Sequence, residues 1–448
     1  MLQLTDMTDY EFLNQAYKEA LSVADPRQSL GLAIDKVFSS PPTGRCLVVG
    51  AGKAAASMAY AFELHVKEKW PNTPIDGLVI TRYEHDVSLV NWKRQVEVVE
   101  AAHPVPDQAG LDGAARIMSL VKTLKPGDQL IALISGGGSS LLTLPADGIG
   151  IEDLRELTTA LLRSGAPIEE MNVVRKHLSA IQGGHLARIA VEQGAQVDAF
   201  IISDVTGDKP EDIASGPCAA DSSTYADAVS ILEKYQLSFD RLPVSIARHL
   251  QAGLRGDILE TLKLTDPCLN SVRNHVYATA AASLEKAADF CRRLGVEVVV
   301  LGDDITGEAQ EVGASQAQYV NDIYAGKHKH SLPLAIISGG ECTVTIPKGV
   351  QGRGGRCSEF LLAFFATIKP EFKVAALAAD TDGIDGSETN AGAWFSLTER
   401  AKAVELSLDP MAYLKAHEAF GFFEKIGGLY QTGPTLTNVN DFRILLLR

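Results

Sequence analysis

Residues Arg45 to Lys69 read RCLVVGAGKAAASMAYAFELHVKEK. A short apolar run breaks at two glycines and passes into a helix-length segment, which is the order strand, turn, helix. Further along, DGLVITR, QVEVVEAA and DQLIALIS read as strands, and EDLRELTTALLRSG reads as a helix. Strands separated by helix-length segments point to parallel βαβ units, so the first half of the chain is expected to be α/β.

Strand character fades in LRGDILETLKLTDPCLNS, residues Leu254 to Ser271, and the alternation restarts in NHVYATAAASLEKAADFCRRLGVEVVVLGDD. There Ala280 to Leu294 reads as a helix, Gly295 as its stop and Val296 to Leu301 as a buried strand. A second α/β domain is therefore expected from Leu262, giving domains 1–261 and 262–448 with a hinge near Leu254 to Ser271.

The chain has 448 residues, more than one core normally organises, and 46% hydrophobic against 22% charged residues is ordinary globular usage. A net charge of −15 argues against nucleic-acid and anionic-membrane partners, so any anionic ligand must meet local cations. Six scattered cysteines form neither a disulfide framework nor a zinc pattern and read as mostly buried thiols. Acidic residues interrupt the N-terminal segment and no later run has 18 apolar residues, so a cytoplasmic protein is expected.

Glycine-rich turns after parallel strands expose backbone N–H groups that bind phosphates or carboxylates. LISGGGSSLL carries such a turn at Ser135, Gly136, Gly137, Gly138, Ser139 and Ser140, and ISGG recurs at Gly339, Gly340 and Glu341. VVGAGKAAASMA has the G-x-G-x-x-A spacing of a dinucleotide turn, but Lys53 sits inside it. The acidic residue expected at the end of the next strand is absent, since Asp76 precedes that strand.

NVVRKHLSAIQGGHLARIAVE reads as one helix capped by Asn172, with Arg175, Ser179 and Gln182 on one face and His177 and His185 given no catalytic role. IISDVTGDKPEDIASGP places Asp204 just after a strand, where an open sheet usually holds its ligand, with Asp208 in the next turn. KGVQGRGGRCSEF combines Lys348, Arg353 and Arg356 with glycines, a combination suited to clamping anions before a helix near Ser358. LAADTDGIDGSETNAGAW supplies Asp380, Asp382 and Asp385, but Asp385 and Ala391 stand where a calcium loop needs glycine and glutamate.

Taken in order, VVGAGKAA, LISGGGSSLL, NVVRKHLSAIQGGHLA, ISDVTGDKPEDIASGP, SGGECTV, GRGGRCSEFLLA, AADTDGIDGSETNAGA and TGPTLTNVNDFRILLL resemble the glycerate 2-kinase family with a MOFRL-type C-terminal domain. Members of that family have also been labelled hydroxypyruvate reductases. The resemblance implies an ATP-dependent kinase acting on the 2-hydroxyl of D-glycerate. It also implies a Rossmann-like three-layer N-terminal domain, a smaller α/β C-terminal domain and an active site in the interdomain cleft.

On the same resemblance, Lys53 and Arg356 neutralise the transferring phosphoryl and Asp204 holds Mg²⁺ or orients the attacking hydroxyl. Asp382 and Asp385 are the alternative metal ligands. The turn Ser135 to Ser140, with Arg175, Gly339, Gly340, Glu341 and Arg353, takes the anionic groups of substrate and nucleotide. A homodimer is compatible with it. Neither Lys53 nor Arg356 reads as core, so alanine at either is expected to leave the fold intact. Two rivals are a nicotinamide-dependent hydroxypyruvate reductase and a non-catalytic sensor of a phosphorylated sugar acid.

Overall fold

A computed structural model describes residues 3–87, 93–347 and 349–448; Lys348 lies outside the described residues. The chain divides into a middle unit, Ser29–Tyr277, and a terminal unit made of Met1–Gln28 and Ala278–Arg448.

The middle unit is built on six strands: β1 (Cys46–Ala51), β2 (Ile75–Arg82), β3 (Val96–Ala101), β4 (Gln129–Ile134), β5 (Gln196–Ile202) and β6 (Val272–Ala278). Their order is β3-β2-β1-β4-β5-β6, and the pairings among the first five are parallel. β1 and β4 are buried along their whole length, as strands covered on both faces must be. Leu47, Val49 and Ala51 pack with Ala114, Ile117 and Val121 of the helix Gln108–Val121 and with Leu186 and Ala190 of the helix His185–Glu192. The strand order reverses between β1 and β4, the place where sheets of this kind form their ligand crevice.

The terminal unit contains β7 (Glu297–Val300), β8 (Gly307–Glu308), β9 (Leu334–Gly340), β10 (Cys342–Thr343), β11 (Val374–Asp380), β12 (Gly392–Phe395), β13 (Leu429–Tyr430) and β14 (Asp441–Leu447). Its main sheet runs β13-β12-β11-β14-β9-β7, antiparallel except for β7 with β9, while β8 and β10 form a separate pair. One face packs on the helix Arg356–Thr367, through Phe364 and Phe365 against Phe395, with Phe422 of the helix Ala419–Ile426 against Phe365.

Two features of this division differ from the sequence reading. The boundary falls after Tyr277 rather than after residue 261, because β6 joins the first sheet. There Arg273 and His275 each bond the fully buried carboxylate of Asp198 at 2.7 Å. The segment before it is also tied in, with Leu262 N donating to Gly183 O and Asp221 N to Leu262 O.

The first 28 residues, in turn, join the terminal unit. Phe12, Leu13, Ala16 and Tyr17 of the helix Asp9–Ala24 pack against Leu284, Ala288, Ile444 and Leu446, and the Tyr17 hydroxyl donates to Asp380 O at 3.1 Å. Burying side chains the size of Phe12 and Leu13 completely stabilises by about 1.5–3 kcal/mol each, and both are 0% exposed.

The expected helix over Asn172 to Glu192 is broken. Ile168–Lys176 and His185–Glu192 are helical, and Asn172 lies inside the first rather than capping it. Between them Ala180 N donates to Leu144 O, Ser179 bridges to Pro145, and Gly183 and Gly184 take φ of 59° and 81°. The first helix stops at Lys176 and the left-handed Gly183 and Gly184 lead into the second, so Arg175, Ser179 and Gln182 do not share one helical face. All six cysteines are free and all but Cys268 are buried.

Candidate active site

The two glycine turns that flank the switch point are stitched to each other. Lys53 N donates to Gly136 O at 2.9 Å, Ser135 N to Ala51 O at 3.2 Å, and the Ser135 hydroxyl accepts from Ala54 N at 3.0 Å. The glycines are required by this approach: a Cβ on Gly52 would lie 2.1 Å from Ser135 Oγ. Ala54 precedes the helix Ala55–Lys69 and gives it no side-chain cap, so Ser135 does the capping from another strand.

Asp204, two residues past the end of β5, reaches the same place. A Cβ on Gly136 would stand 1.8 Å from Asp204 Oδ2, so the carboxylate rests on that α-carbon. Gly137, at φ 80°, is flanked by His103 and Lys53; a Cβ there would lie 3.0 Å from His103 Nε2 and 3.5 Å from Lys53 Cγ. His85 joins through Nδ1, 3.3 Å from Lys53 O. The middle unit thus brings Lys53, Ser135, Gly136, Gly137 and Asp204 together at the ends of β1, β4 and β5.

Behind the turn the backbone is strained. Ala214, Ser215 and Gly216 take φ of 52°, 57° and 58° in succession, a conformation that costs a non-glycine residue about 1–3 kcal/mol and persists only where the surroundings fix it. They are fixed by Gly183 N donating to Ser215 O and Gly184 N to Gly216 O, while Ser215 Oγ lies 2.9 Å from Ser139 Oγ. Gln182 Nε2 donates to Ser139 O and Leu142 O, holding the turn from the broken helix. Ser140 donates back to Gly137 O at 3.1 Å.

Arg175 lies at the end of the first half of that helix, its NH1 3.4 Å from Asn172 Oδ1. Burial lowers its pKa from the ordinary arginine value, and among the described residues no carboxylate pairs with it. A half-buried guanidinium of this kind is suited to an external anion.

In the terminal unit the candidate residues are already engaged. Arg356 donates to Asp441 Oδ1 at 2.7 Å, Asp380 Oδ2 at 2.8 Å and Glu341 Oε1 at 2.5 Å. Burial alone would lower its pKa, but Asp441 and Asp380 outweigh it and hold the charge firmly. Glu341 is exposed, whereas Asp441 and Asp380 are buried. Arg353 stands apart, bonded to Glu418 at 2.9 Å and stacked over Phe420. Gly339 and Gly340 do not form a turn: they are the last two residues of β9, paired with Phe442 and Asp441 of β14, with Gly340 at φ 111° packed on Ile305.

Asp385 caps the helix Arg356–Thr367. It accepts from Cys357 N at 2.9 Å, Ser358 N at 2.8 Å and Ser358 Oγ at 2.5 Å. Burial pushes its pKa up to about 6 in spite of those bonds. Asp382 Oδ1 accepts from Ile384 N at 2.9 Å in a local turn.

Among the described residues no group of three or more His, Cys, Asp or Glu side chains could hold a metal ion. Mg²⁺ at phosphoryl-transfer sites is usually held by one or two carboxylates with the nucleotide's phosphates. Asp204, seated on a glycine beside Lys53, fits that donor set better than Asp385, whose two oxygens both cap a helix.

His85, His103 and Ser215 escaped the sequence reading, which singled out Gln182 but put it on a helical face rather than against Ser139 O and Leu142 O. His103 and His85 each follow a strand by two or three residues, which is the signal that would have found them.

Comparisons agree with this architecture. A family model described as a domain of unknown function (DUF4147) matches residues 12–251, and the MOFRL family model matches 334–441. A protein of Agrobacterium vitis, provisionally named a hydroxypyruvate reductase, is 42% identical over 99% of this chain and 95% of its own length. The glycerate 2-kinase of Pyrococcus horikoshii is 37% identical, covering 96% of this chain and 95% of its own. The crystal structure of glycerate kinase from Thermotoga maritima superimposes with a TM-score of 0.84 at 32% identity, covering 98% of this chain and 99% of that one. Full-length similarity of this kind, on a strand order that places Lys53 and the Ser135 turn at one switch point, makes the chain a member of the glycerate 2-kinase family.

Proposed function

We propose that the protein is an ATP-dependent kinase that phosphorylates the 2-hydroxyl of D-glycerate to give 2-phosphoglycerate and ADP. The observation that carries the reading is the convergence of Lys53, the Ser135 to Ser140 turn and Asp204 at the switch point. Phosphoryl transfer asks a protein mainly for positioning and charge neutralisation, and these groups supply both.

In this reading Lys53 neutralises charge spreading over the transferring phosphoryl. The backbone amides and hydroxyls of the turn hold an anionic group, and Arg175 takes the glycerate carboxylate. Asp204 orients the 2-hydroxyl and accepts its hydrogen bond. Mg²⁺, when bound by Asp204 and the nucleotide, supplies further neutralisation of phosphate charge. Arg356 gives three of its five N–H donors to carboxylates, so a phosphate oxygen would meet a remaining one or displace Glu341, the exposed partner.

The reductase reading requires an acidic residue at the far end of β2 to hold the ribose of a dinucleotide. Asp76 is paired in register with Leu47, near the start of β1, and bonds Arg45 there, at the wrong end of the sheet. β2 instead ends in Thr81 and Arg82.

Phosphorus NMR of the product formed from ATP, Mg²⁺ and D-glycerate tests the proposal, because it separates 2- from 3-phosphoglycerate. NADH oxidation by hydroxypyruvate without ATP would replace the kinase by the reductase. Binding of both substrates without ADP release would favour a sensor. Among the described residues no helix is long and apolar enough to cross a membrane.

A further inference from the structure

The hydroxyls of the turn Ser135 to Ser140 are not equivalent. Ser135 is 1% exposed and its Oγ caps Ala54 N, so it faces inward. Ser140 spends its hydrogen on Gly137 O at 3.1 Å. Ser139 is half-buried, and among the described residues its Oγ has a single partner, Ser215 Oγ at 2.9 Å. Close to it in the turn, the amides of Gly136, Gly137 and Ser139 donate to no described residue.

One hydrogen lies between the two serine oxygens, and burial decides whose it is. Ser215 is 0% exposed, so solvent does not take its hydrogen, and among the described residues Ser139 Oγ is its only acceptor within hydrogen-bond distance. Buried hydroxyls keep their donors paired. Ser215 therefore donates and Ser139 accepts, which leaves the hydrogen of Ser139 to be given to a third group. A hydroxyl that accepts one hydrogen bond is also a stronger donor in the next.

The backbone that carries Ser215 is held by bonds that do not use its side chain. Gly183 N donates to Ser215 O at 2.9 Å and Gly184 N to Gly216 O at 2.7 Å, keeping Ala214 and Ser215 at positive φ. The same segment meets the turn a second time, since a Cβ on Gly138 would lie 2.5 Å from Ala214 Cβ. Gln182 Nε2 holds Ser139 by its carbonyl at 2.8 Å. Ser139 is thus fixed through both its backbone and its hydroxyl.

We infer that Ser215 is a positioning residue for phosphoryl transfer: it donates to Ser139 Oγ and so commits the Ser139 hydroxyl to donate to the anion that the turn holds. The inference rests on the kinase reading for the identity of that anion.

The test is a double-mutant cycle on the full chain with Ser139→Ala and Ser215→Ala. Alanine already occupies the left-handed position before Ser215, so the loop should keep its shape and the melting temperature should stay near the parent's. Should the alanine variant misfold, Ser215→Gly takes its place, because glycine adopts that φ freely. Ser139→Ala removes a hydrogen bond to a charged group and should lower kcat/KM about 10- to 100-fold, and Ser215→Ala, one neutral hydrogen bond away, about fivefold. On top of Ser139→Ala, Ser215→Ala should lower it no further. Parental kcat/KM in either single variant, or a Ser215→Ala loss that recurs in full on Ser139→Ala, overturns the inference and leaves the kinase standing. If the parent makes no phosphoglycerate, the kinase reading falls, and the same cycle is read in calorimetric binding of inorganic phosphate. Phosphate binding weakened by Ser215→Ala in the parent but not in Ser139→Ala supports the hydroxyl relay; equal binding by all variants, a loss that recurs in full, or no binding by the parent overturns it.

Discussion

The carboxylate of Asp204 rests on the α-carbon of Gly136, so closely that a methyl group at that position would stand 1.8 Å from Oδ2. Gly136→Ala must therefore push Asp204 aside. The clash is with the end of a side chain rather than with backbone, so the fold should remain. A misplacement of about 1 Å at a reacting group can lower rate about 10²-fold, and kcat should fall by that order with the circular dichroism spectrum retained. A Gly136→Ala enzyme with parental kcat would remove Asp204 from the reaction.

Lys53→Ala separates the two contributions of that residue. Its backbone N–H, which alanine keeps, ties the two glycine turns together, and its side chain is assigned to the phosphoryl. Loss of a charge that stabilises the transition state should cost about 10³ in kcat, while the melting temperature stays near the parent's. Near-parental turnover would withdraw the assignment.

Arg356→Ala should behave differently, contrary to what the sequence led us to expect. The guanidinium holds three carboxylates, two of them buried, and its removal leaves Asp441 with Arg443 alone. Breaking a buried ion pair by deleting one partner costs about 3–5 kcal/mol. Chemical denaturation should show a large loss of stability alongside any loss of activity. A variant as stable as the parent would mean that these pairs contribute nothing to the fold.

The pH dependence of stability should carry the mark of Asp385. Its pKa is raised from 3.8 to about 6 by burial, so the folded protein keeps this proton where the unfolded chain has released it. The stabilisation is complete below pH 3.8 and is lost as the pH rises to about 6, at up to about 1.4 kcal/mol per pH unit. The stability difference between parent and Asp385→Asn should shrink between pH 4.5 and 6 and stay level above. A difference that does not change with pH over that interval would show that Asp385 titrates normally.

The sequence made the middle unit's sheet legible because strand, turn and helix alternate locally in RCLVVGAGKAAASMA and its successors. The glycine turns were legible for the same reason. What it hid depends on distance along the chain. Nothing in the local pattern of Asp9–Ala24 says that Phe12 packs near Ile444, or that β14 lies between β11 and β9. The broken helix was misread because an apolar stripe with helical spacing continues through Ile181, while the break is imposed by backbone bonds to Leu144 and Ser215. Arg356 resembled a free clamp because its carboxylate partners lie 15, 24 and 85 residues away.

The place of β14 also sets an order of events during synthesis. Of the strands in its sheet it is the latest in the chain, yet it separates β9 from β11, so the pairs β7–β9 and β11–β12 cannot join into one sheet before it emerges from the ribosome. The middle unit, continuous from Ser29 to Tyr277, faces no such wait. A nascent chain should thus carry a finished middle unit while the helix Asp9–Ala24, translated first, has the helix Ala280–Arg293 to pack on but not yet the sheet that completes its burial.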